Sequence, residues 1–297
     1  MRIIPIDHGN DAIKTLNYEF PAGLADAAGV ASESIRFGDK QYAISHRRLT
    51  YLRDKTTTED YLILTLFALA RELGDAEEKV ALAIGLPPAH FQSLRYSFEN
   101  YFKGQYAFEY KGEYKTKTKS INIKHVLVFP QAYAAAATVA SELEDKDRIF
   151  VVDIGGMTVD TLLLRNGIPD MSYTMSLNVG VKRPLNETTA ALAAQLGTRA
   201  EQDQVEAVLR NKETLLPDNA KAMIDEKARA YTQHLLADLR ERDVDLTTTP
   251  ALFTGGGSLL LRKYIEESPL VSTRKFIETA NANARGYKLL AEAVMNQ

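Results

Sequence analysis

The chain has 297 residues, of which 45% are hydrophobic and 25% are charged, with no cysteine and a net charge of −3. This composition excludes a collagen, a low-complexity disordered chain, a disulfide scaffold, a thiolate metal site and a cysteine nucleophile, and the charge gives no global field that would attract nucleic acid or an anionic membrane. The length predicts two domains, or one large α/β unit divided by a cleft.

Two similar motifs stand about half a chain apart. Asp7 to Asn10 reads Asp-His-Gly-Asn, Asp153 to Gly156 reads Asp-Ile-Gly-Gly, and each follows a short β-branched run. Each pattern predicts a buried strand that turns sharply into a second strand, so that each half opens with a β-hairpin. The interval of 146 residues (153 − 7) is close to half of 297. It indicates a duplicated architecture.

Helical and strand patterns alternate between and after the two hairpins, which predicts an α/β fold. The predicted elements are a helix ending at Gly74, a buried strand over 80–86, antiparallel strands over 101–123, a buried strand over 126–129, an alanine-rich helix from 130 to a charged turn at 142–148, helices over 188–195, 201–210 and 218–242, a strand over 251–253, and a last helix after Gly286. The small side chains of the alanine-rich helix predict close packing against another element.

Aspartate beside glycine at a hairpin tip suits a triphosphate with Mg²⁺. The glycines permit turns whose backbone amides approach phosphate oxygens, and the carboxylates hold a hydrated Mg²⁺. We therefore expect Asp7 and Asp153 at the metal and Gly9, Gly155 and Gly156 at the phosphates. Lys14 and Thr158 supply a further charge and a hydroxyl. One such motif alone is more often a plain turn, but two at equivalent places favour function.

Two polar residues are candidates for orienting the water that attacks a terminal phosphate. Gln131 stands where a buried strand becomes the alanine-rich helix, and a neutral amide orients a water without acting as a base. Asp160 lies two residues beyond Thr158 on the same strand face. The alternatives are that Gln131 only caps its helix and that Asp160 only pairs with a lysine.

A glycine-rich turn follows the strand at 251–253. Gly255, Gly256 and Gly257 let a base or ribose rest on the main chain, although the turn has neither the G-x-G-x-x-G nor the Gly-Lys-Ser/Thr spacing of other nucleotide-binding loops. The structural alternative is a simple glycine-rich connection.

Five segments, taken in order, resemble the actin, sugar-kinase and heat-shock-chaperone ATPase superfamily, and most closely its ParM-type bacterial and archaeal actins. They look like phosphate loop 1, connection 1, phosphate loop 2, the adenosine loop and connection 2, at Asp7 to Lys14, Pro130 to Ala136, Val152 to Asp160, Thr254 to Ser258 and Asn283 to Tyr287. The resemblance covers nearly the whole chain.

The resemblance implies an actin-like ATPase fold, with two ribonuclease-H-like domains around a nucleotide cleft. Domain I would comprise residues 1–148 with an inserted subdomain at about 30–125 and the returning helix at about 284–297; domain II would comprise 149–283 with a helical subdomain at about 185–245. By position, Asn10 joins the phosphate-binding residues, and Gly180 falls near the sugar and base together with Gly255 to Gly257. Glu226 and Lys227 are the candidates for the base-clamping pair.

The function implied by the resemblance is a cytoplasmic ATP- or GTP-hydrolysing filament that requires Mg²⁺. Its partners would be copies of itself and a DNA-bound adaptor in plasmid segregation, without direct nucleic-acid contact. We expect no membrane span, because no apolar run approaches the about 20 residues required. The alternatives are a metabolite kinase or regulatory ATP-binding protein on the same fold, and a scaffold that binds nucleotide without turnover.

His8 and a series of lysines allow other interpretations. His8 is expected to be a hydrogen-bonded turn residue rather than a metal ligand, because it has no histidine partner at helical spacing. Lysines interleaved with Tyr110 and Tyr114 are also typical of a nucleic-acid patch, but we expect them to protect an exposed strand edge or to contact a filament neighbour. These lysines are Lys111, Lys115, Lys117, Lys119 and Lys124.

Overall fold

The computed structural model describes residues 1–27, 32–74, 78–112 and 115–296 of the chain, and Tyr114 lies outside these ranges. Helices and strands are mixed throughout, which confirms the α/β class. The chain divides into two compact units, the first made of Met1–Thr138 with Asn281–Gln297 and the second of Val139–Ala280.

The chain passes from one unit to the other between residues 138 and 139 and between residues 280 and 281. The sequence predicts these boundaries at 148/149 and 283/284. Glu142 forms an ion pair with Lys275, so the segment around it packs with the second unit. Asn281 donates to the carbonyl oxygens of Thr15 and Leu16 at 3.2 and 3.1 Å, which ties the start of the last helix to the first unit.

The first unit is built on one mixed sheet. Its strands are β1 (Arg2–His8), β2 (Ala12–Lys14), β3 (Glu19–Pro21), β4 (Leu24–Asp26), β5 (Ser34–Phe37), β6 (Lys40–Ile44), β7 (Glu78–Leu86), β8 (Gly104–Lys111) and β9 (Thr116–Pro130). Their order across the sheet is β3-β2-β1-β7-β9-β8-β5-β6-β4.

The second unit repeats the plan of the first five strands in that order. It contains β10 (Arg148–Ile154), β11 (Val159–Arg165), β12 (Ile168–Leu177), β13 (Ala251–Thr254) and β14 (Arg274–Phe276), in the order β12-β11-β10-β13-β14. In each unit three strands pair antiparallel, and the third of them is followed by two strands parallel to it, which gives the parallel runs β1-β7-β9 and β10-β13-β14. This repetition confirms the predicted duplication and both predicted hairpins.

The helices of the described ranges are α1 (Asp60–Leu73), α2 (Pro88–Phe102), α3 (Tyr133–Ala137), α4 (Lys182–Leu196), α5 (Gln202–Leu209), α6 (Asp218–Glu241), α7 (Gly256–Leu260), α8 (Arg262–Glu266) and α9 (Ala282–Met295). Short 3₁₀ turns lie at Lys55–Thr57 and Ala140–Glu142. None of these helices is both long and apolar enough to cross a membrane. The helix α1 ends, as predicted, at Gly74, whose φ is 57°.

Strand β7 contributes to a separate cluster on each face of its sheet. Leu82 and Ile84 belong to the large core that includes α1 and α2, whereas Ala83 packs with Ala134 of α3 and Tyr287 of α9. Alternate residues of a strand point to opposite faces. The strand is therefore buried on both sides, as its unbroken apolar run predicts.

Helix α9 begins earlier than predicted, and Gly286 lies inside it. A Cβ at this position would stand 1.7 Å from the carbonyl oxygen of Ala134. Glycine is therefore required for the close approach of α9 to α3. This packing identifies the partner against which the alanine-rich helix was predicted to pack closely.

The alanine-rich helix itself is shorter than predicted. It ends at Ala137, and the chain continues as the 3₁₀ turn at Ala140–Glu142 instead of a helix up to 142–148. The hydroxyl of Thr138 donates to the carbonyl oxygen of Ala135 at 2.6 Å. The β-branched pair Thr138 and Val139 also lowers the helix propensity at this point.

The lysine-rich start of strand β9 pairs with β8 from Thr116 onward, whereas within the described residues its pairing with β7 begins only at Ile121. Strand β9 lies between β7 and β8, and the outer strands of the sheet are β3 and β4. Lys119 is only 5% exposed, with its ammonium 5.7 Å from the ring centre of Tyr110. Protection of a strand edge therefore stays a prediction for Lys117, whereas the burial of Lys119 differs from the exposed position that was expected.

Candidate functional site

The turn between β1 and β2 carries the first Asp-Gly motif. Asp7 pairs with Lys14 across the two strands and is 8% exposed. Gly9 and Asn10 form the half-exposed turn, and within the described part of the chain neither of their amides donates to a backbone carbonyl. A Cβ on Gly9 would lie 2.6 Å from the carbonyl oxygen of Ala12, so only glycine fits this turn.

Three distant segments of the first unit meet at the Asp7 carboxylate. Gln131 donates its Nε2 to Asp7 Oδ1 at 2.9 Å, and the side chain of Asn283 also hydrogen-bonds to Asp7. Burial raises the pKa of Asp7. The positive charges of Lys14 and Lys55 and these two hydrogen bonds oppose part of that rise. The candidate metal ligand and the candidate water-orienting amide are therefore in direct contact.

A buried lysine and a buried histidine lie beneath this turn. Lys55 is 8% exposed; its ammonium donates to the carbonyl oxygen of His8 and lies 4.8 Å from the ring centre of Tyr61. His8 Nε2 is 2.8 Å from the hydroxyl of Thr65, and its ring stacks on Phe102. Burial and the charge of Lys55 lower the pKa of His8 to about 3. His8 is thus a neutral, hydrogen-bonded core residue.

Asn283 and Lys55 were not among the predicted site residues. Asn283 lies in the last of the five segments that carry the family resemblance, so its position was an available signal. Lys55 precedes a run of threonines, a pattern typical of a solvated loop, and lysine is rarely fully buried. Only the fold brings it under the turn.

The second Asp-Gly motif forms the corresponding turn between β10 and β11. The amide of Gly155 donates to the carbonyl oxygen of Thr158 at 2.9 Å, and Gly156 is half-exposed. Asp153 and Asp160 stand directly opposite each other in the two strands and are 9% and 5% exposed. The Thr158 hydroxyl donates to Asp160 Oδ2 at 2.8 Å. It must rotate away from Asp160 to donate to a phosphate oxygen.

Gly180 packs on this second turn. Its amide donates to the carbonyl oxygen of Met157 at 3.0 Å, and a Cβ on it would lie 2.4 Å from the carbonyl oxygen of Gly156. At the start of α4, the amide of Val181 donates to the carbonyl oxygen of Gly155 at 3.1 Å, and the amide of Lys182 donates to that of Gly156 at 3.0 Å. Three backbone hydrogen bonds therefore join the turn to the start of the helix.

The glycine-rich turn after β13 lies against Asp153. Gly255 has a φ of 85°, and a Cβ on it would lie 2.3 Å from Asp153 Oδ1. A Cβ on Gly257 would lie 2.7 Å from Ile154, whereas one on Gly256 would meet nothing within 4 Å. The structure thus brings Asp153, Asp160, Thr158, Gly180 and the glycine turn together in the second unit.

Glu226 and Lys227 lie on α6, with Glu226 exposed and Lys227 half-exposed. Within the described ranges neither side chain forms a hydrogen bond or an ion pair. One turn further on, Tyr231 donates its hydroxyl to the carbonyl oxygen of Val179, beside Gly180. This bond connects α6 to the segment where a sugar or base is expected.

The residues present suit a phosphorylated ligand with a hydrated divalent cation. Mg²⁺ in proteins takes one or two carboxylates and keeps several waters, and each unit offers a buried aspartate at a glycine turn. Backbone amides at such turns bind anions. The amides of Gly9 and Asn10 are such donors. The open side of Gly256 leaves room for a bound anion.

Two domain families match the sequence in succession. The family described as "Actin like proteins N terminal domain" matches residues 6–133, and the one described as "Archaeal actin homologue MreB-like, C-terminal" matches residues 151–267. No curated protein matches the sequence significantly.

Solved structures that resemble this fold include Ta0583, an archaeal actin homolog, with a TM-score of 0.78 and 18% identity over 99% of this chain and 100% of that one. Its complex with ADP gives 0.75 at 18% identity over the same shares. The filament structure of Alp12 gives 0.71 at 16% identity over 98% of each chain. Bacillus thuringiensis ParM with ATP gives 0.69 at 15% identity over 100% of each. These likenesses establish the actin-like fold.

Proposed function

The chain belongs to the actin-like proteins, and on this premise we propose that it binds a nucleoside triphosphate with Mg²⁺, hydrolyses it and assembles into filaments. The observation that carries the proposal is the hydrogen bond from Gln131 to Asp7, which joins a candidate water-orienting amide to a candidate metal ligand at 2.9 Å. A plain helix cap would leave Gln131 with a backbone partner instead.

The hydrogen bond to Asp7 gives Gln131 a defined orientation. Because Nε2 donates to Asp7, the carbonyl Oε1 of the same amide is directed away from it and is an acceptor for the proton of a water. Hydrolysis of a phosphoanhydride depends mainly on positioning and on electrostatic stabilisation. Gln131 thus supplies the positioning that this reaction needs without acting as a base.

The second unit supplies a matching set of groups. Asp153 would hold Mg²⁺ through water, the amides around Gly155 and Gly156 would bind phosphate, and Asp160 is a second group for orienting water. Bound Mg²⁺ neutralises charge on the phosphate oxygens. Each unit is thus assigned its own groups for Mg²⁺ and phosphate.

The nucleoside is assigned to the glycines of the second unit. Gly180 and Gly255 to Gly257 offer bare main chain for a sugar and a base, and Glu226 with Lys227 on α6 is proposed for the base. Both ATP and GTP fit this assignment. The structures of one relative with ADP and of another with ATP favour an adenine nucleotide.

We infer that the triphosphate favours assembly and that its hydrolysis favours disassembly. A ligand shifts an equilibrium by its differential affinity for the two states, and hydrolysis removes the interaction of the protein with the terminal phosphate. The likeness to a protein solved as a filament and to ParM proteins supports this inference. Cytoplasmic DNA segregation through a DNA-bound adaptor is the cellular role that we propose by analogy.

Phosphate release from ATP and from GTP, with and without Mg²⁺, tests the proposal. We expect Mg²⁺-dependent release that Asp153→Ala abolishes while the far-UV circular dichroism is retained. Asp170→Ala is the matched control, because Asp170 lies in the same unit and pairs with Arg165 away from the turn. Binding without release would support a scaffold, and transfer of phosphate to a sugar would support a metabolite kinase; either result contradicts the proposal.

A further inference from the structure

The residue after Gln131 has an unusual backbone conformation. Ala132 has φ 61° and ψ −52°, and the amide of Tyr133 donates to the carbonyl oxygen of Gln131 at 2.6 Å. These angles and this bond define a γ-turn of the rare, strained kind. A residue with a Cβ keeps such a conformation only where its surroundings impose it. Ala132 is completely buried.

Asn283, in the first turn of α9, holds this γ-turn. Its Oδ1 accepts a hydrogen bond from the amide of Ala132 at 3.1 Å. The same side chain hydrogen-bonds to Asp7, which also accepts from Gln131. The carboxamide of Asn283 therefore has two partners. One is the γ-turn that follows Gln131, and the other is the carboxylate of Asp7, which Gln131 also contacts.

We propose that Asn283 is a positioning residue that holds the strained turn at Ala132 and the carboxylate of Asp7, so that Gln131 keeps its orientation. Without this bond Ala132 would relax toward an ordinary helical or extended conformation, since those are the wells open to residues with a Cβ. The relaxation rotates the peptide groups beside Gln131 and moves its amide away from Asp7. The catalytic consequence rests on the proposed function, while the holding of the turn does not.

Steady-state hydrolysis by Asn283→Ala tests the catalytic consequence. Because misplacement of a reacting group by about 1 Å costs up to about 100-fold, we expect kcat to fall at least about tenfold, with KM changed less than about threefold. Asn281→Ala is the control, because Asn281 stands at the start of the same helix and donates hydrogen bonds to the carbonyl oxygens of Thr15 and Leu16. The kcat of this variant should stay unchanged. An unchanged kcat in Asn283→Ala overturns the proposal.

Rescue separates positioning from a general structural role. Glycine adopts positive φ as readily as negative φ, so Ala132→Gly in the Asn283→Ala background should restore part of the lost kcat. Asn283→Asp keeps the acceptor for the amide of Ala132 but offers no donor to Asp7, and its kcat should also fall. A double variant no more active than Asn283→Ala contradicts the role of the strained turn.

Amide exchange in the nucleotide-free protein provides a readout independent of activity. We expect the Ala132 amide to be protected in the wild type and in Asn283→Asp, and to exchange at least about tenfold faster in Asn283→Ala, because its acceptor is gone. Equal protection in all three would overturn the proposal. If the wild type released no phosphate, the proposed function would fail, and this exchange experiment would still decide whether Asn283 holds the turn.

Discussion

The side-chain amide of Gln131 donates to the carboxylate of Asp7 at 2.9 Å, although 124 residues separate them in the chain. The reason lies in the sheet: β1, β7 and β9 run parallel, Asp7 is close to the end of β1, and Gln131 directly follows β9. Parallel strands place their carboxyl ends at one edge, where α/β proteins commonly bind ligands.

Replacement of Gln131 by alanine tests the role of its side-chain amide in nucleotide hydrolysis. In Gln131→Ala we expect phosphate release to fall about 100-fold, as for loss of one stabilising group at a reacting phosphate or carbonyl. Nucleotide affinity, measured with a fluorescent analogue, should change less than about threefold, since the role is to orient water.

Gln92→Ala is the matched control for this variant. Gln92 is exposed on α2 of the same unit, and its loss should leave turnover unchanged. Equal turnover in Gln131→Ala and Gln92→Ala would contradict the assignment of Gln131.

The glycine turn after β13 allows a matched pair of substitutions. Gly255→Ala should lower the free energy of unfolding by about 1–3 kcal/mol, because an L-residue at positive φ is strained and its Cβ would lie 2.3 Å from Asp153 Oδ1. Gly256→Ala meets nothing within 4 Å and should unfold like the wild type in urea. Equal losses in the two variants would exclude this packing against Asp153.

The strained turn at Ala132 predicts an unusual effect of glycine. Relief of a positive φ is worth about 1–2 kcal/mol and the added chain entropy costs about 0.5–1 kcal/mol. Ala132→Gly should therefore raise the free energy of unfolding by about 0.5–1 kcal/mol. Ala136→Gly, inside α3, should lower it by about 0.5–1 kcal/mol. Equal destabilisation by both would show that the turn is not strained.

An acid–base network in the first unit predicts a pH-dependent stability. Glu33 accepts hydrogen bonds from Arg71 at 2.8 Å and from Tyr110 at 2.7 Å. Burial opposes its ionisation, but these bonds and the Arg71 charge lower the pKa of Glu33 overall from the ordinary value of 4.5. Glu33→Gln should cost about 1–3 kcal/mol at pH 7, measured by urea unfolding.

The sign of the pH dependence follows from linkage. Below pH 4.5 the unfolded chain takes up a proton on Glu33 before the folded chain does, so wild-type stability falls with pH and the difference from Glu33→Gln shrinks. Glu109→Gln is the control: its pair with Arg36 is about half-exposed and is worth less than about 1 kcal/mol. A difference between wild type and Glu33→Gln that persists unchanged at low pH would contradict the network.

Local patterns in the sequence were enough to predict the hairpins and most elements, because a β-branched run before Asp-Gly specifies a strand and a turn. They were insufficient where residues far apart in the chain determine the burial or the backbone conformation of a position. Lys119 is buried with its ammonium 5.7 Å from the ring centre of Tyr110 on the neighbouring strand, and position 286 within α9 requires glycine because Ala134 approaches it. Ala132 has a positive φ that no alanine-rich sequence indicates, since the hydrogen bond that its amide donates to Asn283 maintains it.

Light scattering during nucleotide addition tests the central claim most directly, with phosphate release recorded on the same sample. With Mg²⁺ and ATP or GTP we expect scattering to rise and then to fall as phosphate accumulates, whereas a non-hydrolysable analogue should give a lasting rise. Gln131→Ala with ATP should behave as the wild type does with the analogue. No rise with any triphosphate at protein concentrations well above the micromolar range would contradict the account.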